Sequence, residues 1–158
     1  MYGYVKVGSA VPKLRVADCV YNKEEILKLV EAAAAKQVRV LSFPELSVTG
    51  YTCADLFFQT PLLHAAEQAI QEIAEATKAL NIFLLIGAPI AVDNQMFNCA
   101  VALYKGKLLG IVPKTHIPNY SEFYEERWFA SADDLLTEEI TYAGQNVPIG
   151  AALIFAAA

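Results

Sequence analysis

Val38-Arg39-Val40-Leu41-Ser42-Phe43-Pro44-Glu45-Leu46-Ser47-Val48-Thr49-Gly50-Tyr51 is the stretch on which the fold turns. Val38, Val40, Leu41 and Phe43 form an apolar, β-branched run of the kind that is buried as a strand. Pro44 has no N–H for a sheet ladder and holds Phe43 extended, so the strand stops there. Glu45 is left at the C-terminal mouth of that strand, where open α/β sheets carry their chemistry. Two readings stand at this point: a catalytic carboxylate, or a loop glutamate that is solvated or bonded to nearby backbone N–H groups.

Upstream, Val5 to Val11 alternates as a first strand that Pro12 closes. Asn22 is the expected N-cap of a first helix, with Glu25 at N3 and with Tyr21 and Ile26 spaced as a hydrophobic staple. Ile26, Leu29, Val30, Ala33 and Ala34 fall on one face, and Glu24 and Lys28 form an i,i+4 pair on the other. Downstream, Gly50 to Phe58 reads as a loop with a short helical turn. Thr60 as N-cap and Pro61 at N1 open a second helix. Its buried stripe is Leu63, Ala66, Ile70, Ile73, Ala74, Thr77 and Leu80, with Asn81 as its stop. Ile82 to Ala88 is a continuous apolar strand, expected to be covered on both faces.

Strand–helix–strand–helix–strand is an α/β order with parallel pairing. Phe97 to Tyr104 and Lys107 to Val112, joined at Lys105-Gly106, then read as a hairpin, so the sheet is mixed. Ala130 to Gln145 is polar and reads as loop, and Val147 to Phe155 as a last strand. A chain of 158 residues suits one domain with its own core.

Composition narrows the function classes. A hydrophobic content of 56% excludes disorder, and a net charge of −5 gives no nucleic-acid footprint. No apolar run approaches the ~20 residues of a membrane helix. The N-terminal Met1 to Lys6 lacks the basic flank and apolar core of a secretory signal. Cys19, Cys53 and Cys99 are odd in number and widely spaced, which fits a reducing compartment and core-filling thiols. With only His64 and His116 beside them and no Cys-x-x-Cys pair, they make no zinc site. The tail, Ala151 to Ala158, starts as a strand and runs into alanine, and it reads as part of a longer protein.

A second strand-ending proline, Pro113, is followed by Lys114, as Pro44 is followed by Glu45. Thiol-based amide hydrolysis needs a thiolate to attack the amide carbon, a base to take the thiol proton, and a cation to steady the oxyanion. Glu45 suits the base and Lys114 the cation. Lysines after prolines are commonly solvated, and His116 suits a structural hydrogen bond. The two strand ends are expected to meet at one cleft, and Phe123, Trp128 and Phe129 to anchor the aromatic segment that follows.

Three motifs carry a resemblance. They are Pro44-Glu45-Leu46-Ser47-Val48-Thr49-Gly50-Tyr51, then Pro113-Lys114-Thr115-His116-Ile117-Pro118-Asn119-Tyr120, then Phe123-Tyr124-Glu125-Glu126-Arg127-Trp128-Phe129. Together they resemble the nitrilase (carbon–nitrogen hydrolase) superfamily over essentially the whole chain. Thr52-Cys53-Ala54-Asp55-Leu56-Phe57 is similar to the glutaminase domains of glutamine-dependent NAD synthetases. The resemblance implies an α/β fold of the nitrilase type, a four-layer α-β-β-α sandwich of which this chain covers the N-terminal part.

It implies Glu45 as general base, Lys114 as oxyanion-stabilising cation, Glu125 as the glutamate supporting the site, and Tyr120 as a contact of the substrate glutamine. The nucleophilic cysteine comes after the lysine motif in this family, and no cysteine here lies beyond Cys99. Residues 1–158 are therefore expected to be one amidohydrolase domain cut before its nucleophile, and inactive alone. By resemblance, its ammonia serves an ATP-dependent synthetase domain that amidates deamido-NAD. ATP and Mg are expected in that absent domain and no cofactor in this one. A cytoplasmic homo-oligomer is implied, without nucleic acid or membrane. Two alternatives remain: another amidase or carbamoyl hydrolase of the superfamily, and a non-catalytic fragment or assembly module.

Overall fold

The computed structural model describes residues 3–156; Met1 and Tyr2 of the N-terminal reading and the last two alanines of the tail lie outside them. Strand β1 (Val7–Ser9) leads to helix α1 (Cys19–Ala35), β2 (Val40–Ser42), a 3-10 turn (Ala54–Phe58) and helix α2 (Thr60–Thr77). Strands β3 (Phe83–Val92), β4 (Gln95–Tyr104) and β5 (Lys107–Pro113) follow, then 3-10 turns at Glu125–Arg127 and Ala132–Asp134, and finally β6 (Glu139–Tyr142) and β7 (Gln145–Pro148). The first five strands form one sheet in the order β1-β2-β3-β4-β5. β1, β2 and β3 run parallel, while β3–β4 and β4–β5 are antiparallel. The mixed sheet and the Lys105-Gly106 hairpin agree with the sequence reading.

The remaining differences are local. Helix α1 is capped by Asp18, whose Oδ1 accepts from the Tyr21 N–H at 3.0 Å. Asn22, the expected cap, lies inside the helix and is fully buried. Its side chain bonds to both backbone groups of Arg15 and donates to Val48 O at 2.9 Å. An amide that ties two loops to a helix satisfies three backbone groups, and the bond to Val48 is buried. Lys28 pairs with Glu25 rather than Glu24. Helix α2 begins one residue early, with Gln59 at the N-cap position and Thr60 already helical, and it buries Leu62 and Ala69 rather than Leu63.

Strand β3 runs on past Ala88 to Val92 and turns straight into β4 at Asp93-Asn94, both with positive φ, 49° and 63°. Such a two-residue turn matches strand twist and tolerates Asn and Asp. The polar stretch read as loop holds a second hairpin, β6–β7, turning at Ala143-Gly144. The expected last strand ends at Pro148. Beyond it Ile149 makes only an isolated parallel bridge to Ile111.

Helices α1 and α2 close one face of the sheet. Leu41, Leu84, Ile86, Ile90, Phe97, Val101 and Leu103 are buried there. On the opposite face Phe43, Leu85, Ala100 and Val112 are only half-buried, so the central strand is not sealed on both sides as expected. The described residues supply one helix layer and the five-stranded sheet, with the β6–β7 hairpin beside them, half of the four-layer arrangement that the resemblance implied. No helix among them is long and apolar enough to cross a membrane.

Candidate active site

Glu45 sits in a turn that crosses over β3. Phe43 N donates to Leu85 O at 2.9 Å and Val48 N to Gly87 O at 3.1 Å, so the chain leaves β2 and folds onto its neighbour. Gly50 N returns to Leu46 O at 2.7 Å, and Leu46, fully buried, takes a left-handed φ of 50°. A non-glycine residue in that region is strained and persists only when its surroundings over-determine it. Gly87 is one reason it does. A Cβ at that position would stand 2.3 Å from Leu46 N and 2.6 Å from Pro44 O. The bare strand backbone lets the glutamate turn come this close.

Lys114 is held at the exit of β5. Its N–H donates to Asn98 O at 2.8 Å, and its carbonyl accepts from Ala132 N at 3.0 Å. Between those two points the chain makes an excursion that carries Glu125 back. Glu125 N donates to Pro118 O at 3.1 Å, and Ala130 N is strapped to Met96 O at 2.8 Å. The excursion docks on the turn after Cys53. Arg127 grips Asp55 with two hydrogen bonds of 2.7 Å, Trp128 Nε1 adds a third at 3.0 Å, and Phe129 meets Phe57 edge-on at 5.0 Å.

The three charged side chains converge. Lys114 Nζ lies 2.7 Å from Glu45 Oε1 and 2.9 Å from Glu125 Oε2. Glu125 is buried and its other oxygen accepts from Tyr51 Oη at 2.6 Å. Glu45 Oε1 also accepts from Asn98 Nδ2. Its Oε2 accepts no hydrogen bond among the described residues. Partial burial pushes the Lys114 ammonium down, but the hydrogen bonds and charges of Glu45 and Glu125 outweigh it, so its pKa stands above the ordinary lysine value. Burial and the hydrogen bond to Glu125 raise the Tyr51 phenol, so it stays a donor. A cleft of about 400 Å³ opens beside the pair, lined by Phe43, Glu45, Leu85, Gly87, Ala100 and Lys114.

The structure therefore brings together Glu45, Lys114 and Glu125, whose spacing along the chain hides their proximity. Tyr120 is not joined to them by a hydrogen bond; it is exposed and packs against Phe123 at 5.9 Å. His116 is exposed as well. All three cysteines are free and buried. Burial pushes the Cys53 thiol up and lifts Cys19 to about 11, so neither is an activated nucleophile. Sequence reasoning assigned no role to Asn98 or Tyr51. Asn98 stands in an apolar strand, where a lone polar residue asks for a buried partner, and that was the available signal. Among the described residues no group of three or more His, Cys, Asp or Glu could hold a metal ion.

A carboxylate and an ammonium at two strand ends, locked by a second buried carboxylate, are the features expected of one class of fold and site. The family profile described as carbon-nitrogen hydrolase matches residues 6–156, and the chain belongs to that family. More particularly, it is similar to glutamine-dependent NAD(+) synthetases. It is 35% identical to that of Mycobacterium leprae (strain TN) over 99% of this chain, and it spans 23% of that protein. It superposes on the crystal structure of a glutamine-dependent NAD(+) synthetase from Cytophaga hutchinsonii with a TM-score of 0.85 and 29% identity, over 92% of this chain and 25% of that one. An amidase from Nesterenkonia sp. shares the fold, with a TM-score of 0.65 at 19% identity over 87% of this chain and 52% of its own.

Proposed function

We propose that this chain is the glutaminase domain of a glutamine-dependent NAD synthetase, releasing ammonia for the ATP-dependent amidation of deamido-NAD. The observation that carries the reading is the Lys114 ammonium pinned between Glu45 and Glu125 with Glu45 Oε2 left free. A cysteine supplied from outside the given residues attacks the side-chain amide carbon of glutamine. Glu45 Oε2 takes the thiol proton, and Lys114 stabilises the oxyanion as the tetrahedral intermediate forms. Glu45 hands the proton to the leaving nitrogen, and ammonia departs. Water, deprotonated by the same carboxylate, then cleaves the thioester to give glutamate. Glu125 fixes the ammonium so that it does not follow the Glu45 carboxylate, and Tyr120 is the residue that would contact the substrate glutamine.

The overall similarity to NAD(+) synthetases favours glutamine over other amides. The synthetase step, with its ATP and Mg, belongs to a second domain of the same polypeptide, and the assembled enzyme is a cytoplasmic homo-oligomer. The test uses the complete gene product. It should release ammonia from glutamine and lose that activity in Glu45→Gln and in Lys114→Met. Turnover of aliphatic amides or carbamoyl compounds, with none of glutamine, would assign it to another branch of the family.

A further inference from the structure

We infer that Asn98 is a positioning residue for the base, holding the Glu45 carboxylate so that Oε1 faces the lysine and Oε2 faces the substrate. The inference rests on the glutaminase reading and goes one residue further. Asn98 is 4% exposed and lies on β4 in a run of apolar neighbours, Met96, Phe97, Cys99 and Val101. A buried amide there is costly unless it is bonded. Its Nδ2 donates to Glu45 Oε1, and its own carbonyl accepts from the backbone N–H of Lys114 at 2.8 Å. One residue thus touches the base through its side chain and the cation through its backbone.

The geometry of the carboxylate explains why this matters. Two donors, Asn98 Nδ2 and Lys114 Nζ, converge on the same oxygen, Oε1. With both in place, the second oxygen is held away from the ammonium. Without the amide, a carboxylate beside a single ammonium is free to turn and present both oxygens to it. The base would then be neutralised in the ground state and misaimed, while the rest of the cleft wall that Asn98 shares with Leu85, Gly87 and Ala100 would be unchanged. Such a residue should affect the chemical step and leave binding alone.

The test compares the complete gene product with its Asn98→Ala and Asn98→Leu variants in steady-state glutamine hydrolysis. Asn98→Leu keeps the branched shape of the side chain without its donor and adds no charge beside Glu45, so it preserves packing where the alanine leaves a hole. Both should lower kcat by about 10–100-fold with KM within about 3-fold, and the thermal midpoint of Asn98→Leu should stay near that of the parent. An unchanged kcat in a folded variant overturns the inference. So does a kcat loss accompanied by a parallel rise in KM and a large fall in the midpoint, because that pattern marks a merely structural residue. Failure of the underlying reading looks different: the unsubstituted protein would then release no ammonia, or Glu45→Gln would be as active as the parent.

Discussion

The two carboxylates around Lys114 are not equivalent. The Glu125 side chain is 3% exposed and that of Glu45 40% exposed. An exposed pair is worth little, whereas a buried charge that loses its partner is costly. Lys114→Met should therefore destabilise the fold by about 2–3 kcal/mol, mostly by stranding Glu125. Glu125→Gln placed in the same chain should recover about 1–2 kcal/mol of that loss, measured as a double-mutant cycle in urea. The pH dependence follows from the raised pKa of Lys114. Below the ordinary lysine value of 10.5 the ammonium is charged in folded and unfolded chains alike, and its whole contribution is present. As pH rises through the higher folded value, that contribution is lost. The stability gap between the parent and Lys114→Met should stay flat near neutral pH and narrow only in strong alkali; a gap that closes near pH 8 would contradict the charge assignment.

At the scale of elements, the site depends on backbone approach as much as on charge. Gly87→Ala places a methyl inside the Pro44–Glu45–Leu46 backbone, and backbone cannot step aside as a flexible side chain can. Expected are a destabilisation of about 1–3 kcal/mol or more and a ~100-fold loss of turnover from a displaced Glu45. Gly8→Ala on β1 is the control, since its Cβ would meet Leu41 Cδ1 at an ordinary 3.5 Å. The clamp of Asp55 with Arg127 and Trp128 makes a separate prediction. The hydrogen bonds from Arg127 and then Trp128 hold the Asp55 carboxyl well below the ordinary 3.8. Its stabilising effect is thus present above that value and is lost as pH falls through the lower folded value. In acid unfolding the advantage of the parent over Asp55→Asn should be steady above about pH 5 and shrink below it. The motifs at Pro44-Glu45 and Pro113-Lys114 were legible because proline punctuates apolar runs. The Asp93-Asn94 and Ala143-Gly144 turns were not read. Pro89 interrupts the β signal of β3 after Ala88, and β6–β7 is a polar hairpin whose support comes from elsewhere, through Gln145 bonding to Leu108 and Gly106 and Glu67 to Ala143.

Over the whole molecule, the two faces of the sheet divide the thiols from the charges. Neighbouring residues on a strand point to opposite faces. Asn98 points to Glu45, so Cys99 beside it is turned toward the helices, in register with Ala88. Cys19 is buried at the start of α1, and Cys53 spends its thiol on Thr49 O and Gly50 O at 3.2 and 3.3 Å. This separation was partly legible, since a lone cysteine in an apolar run reads as core, but only the strand register shows which face each thiol takes. Burial raises all three thiols, and a raised thiol is a poor nucleophile at neutral pH. Among the described residues the base and cation on the open face thus have no thiolate within their reach. The purified chain of residues 1–158 should release no ammonia from glutamine above the uncatalysed background, while its fold, judged by a cooperative melt, persists. The complete gene product should be active, and iodoacetamide should silence it by alkylating a cysteine outside these residues. Steady ammonia release by the 158-residue chain, abolished in Cys53→Ser, would place the nucleophile at Cys53 and require that loop to open toward Glu45.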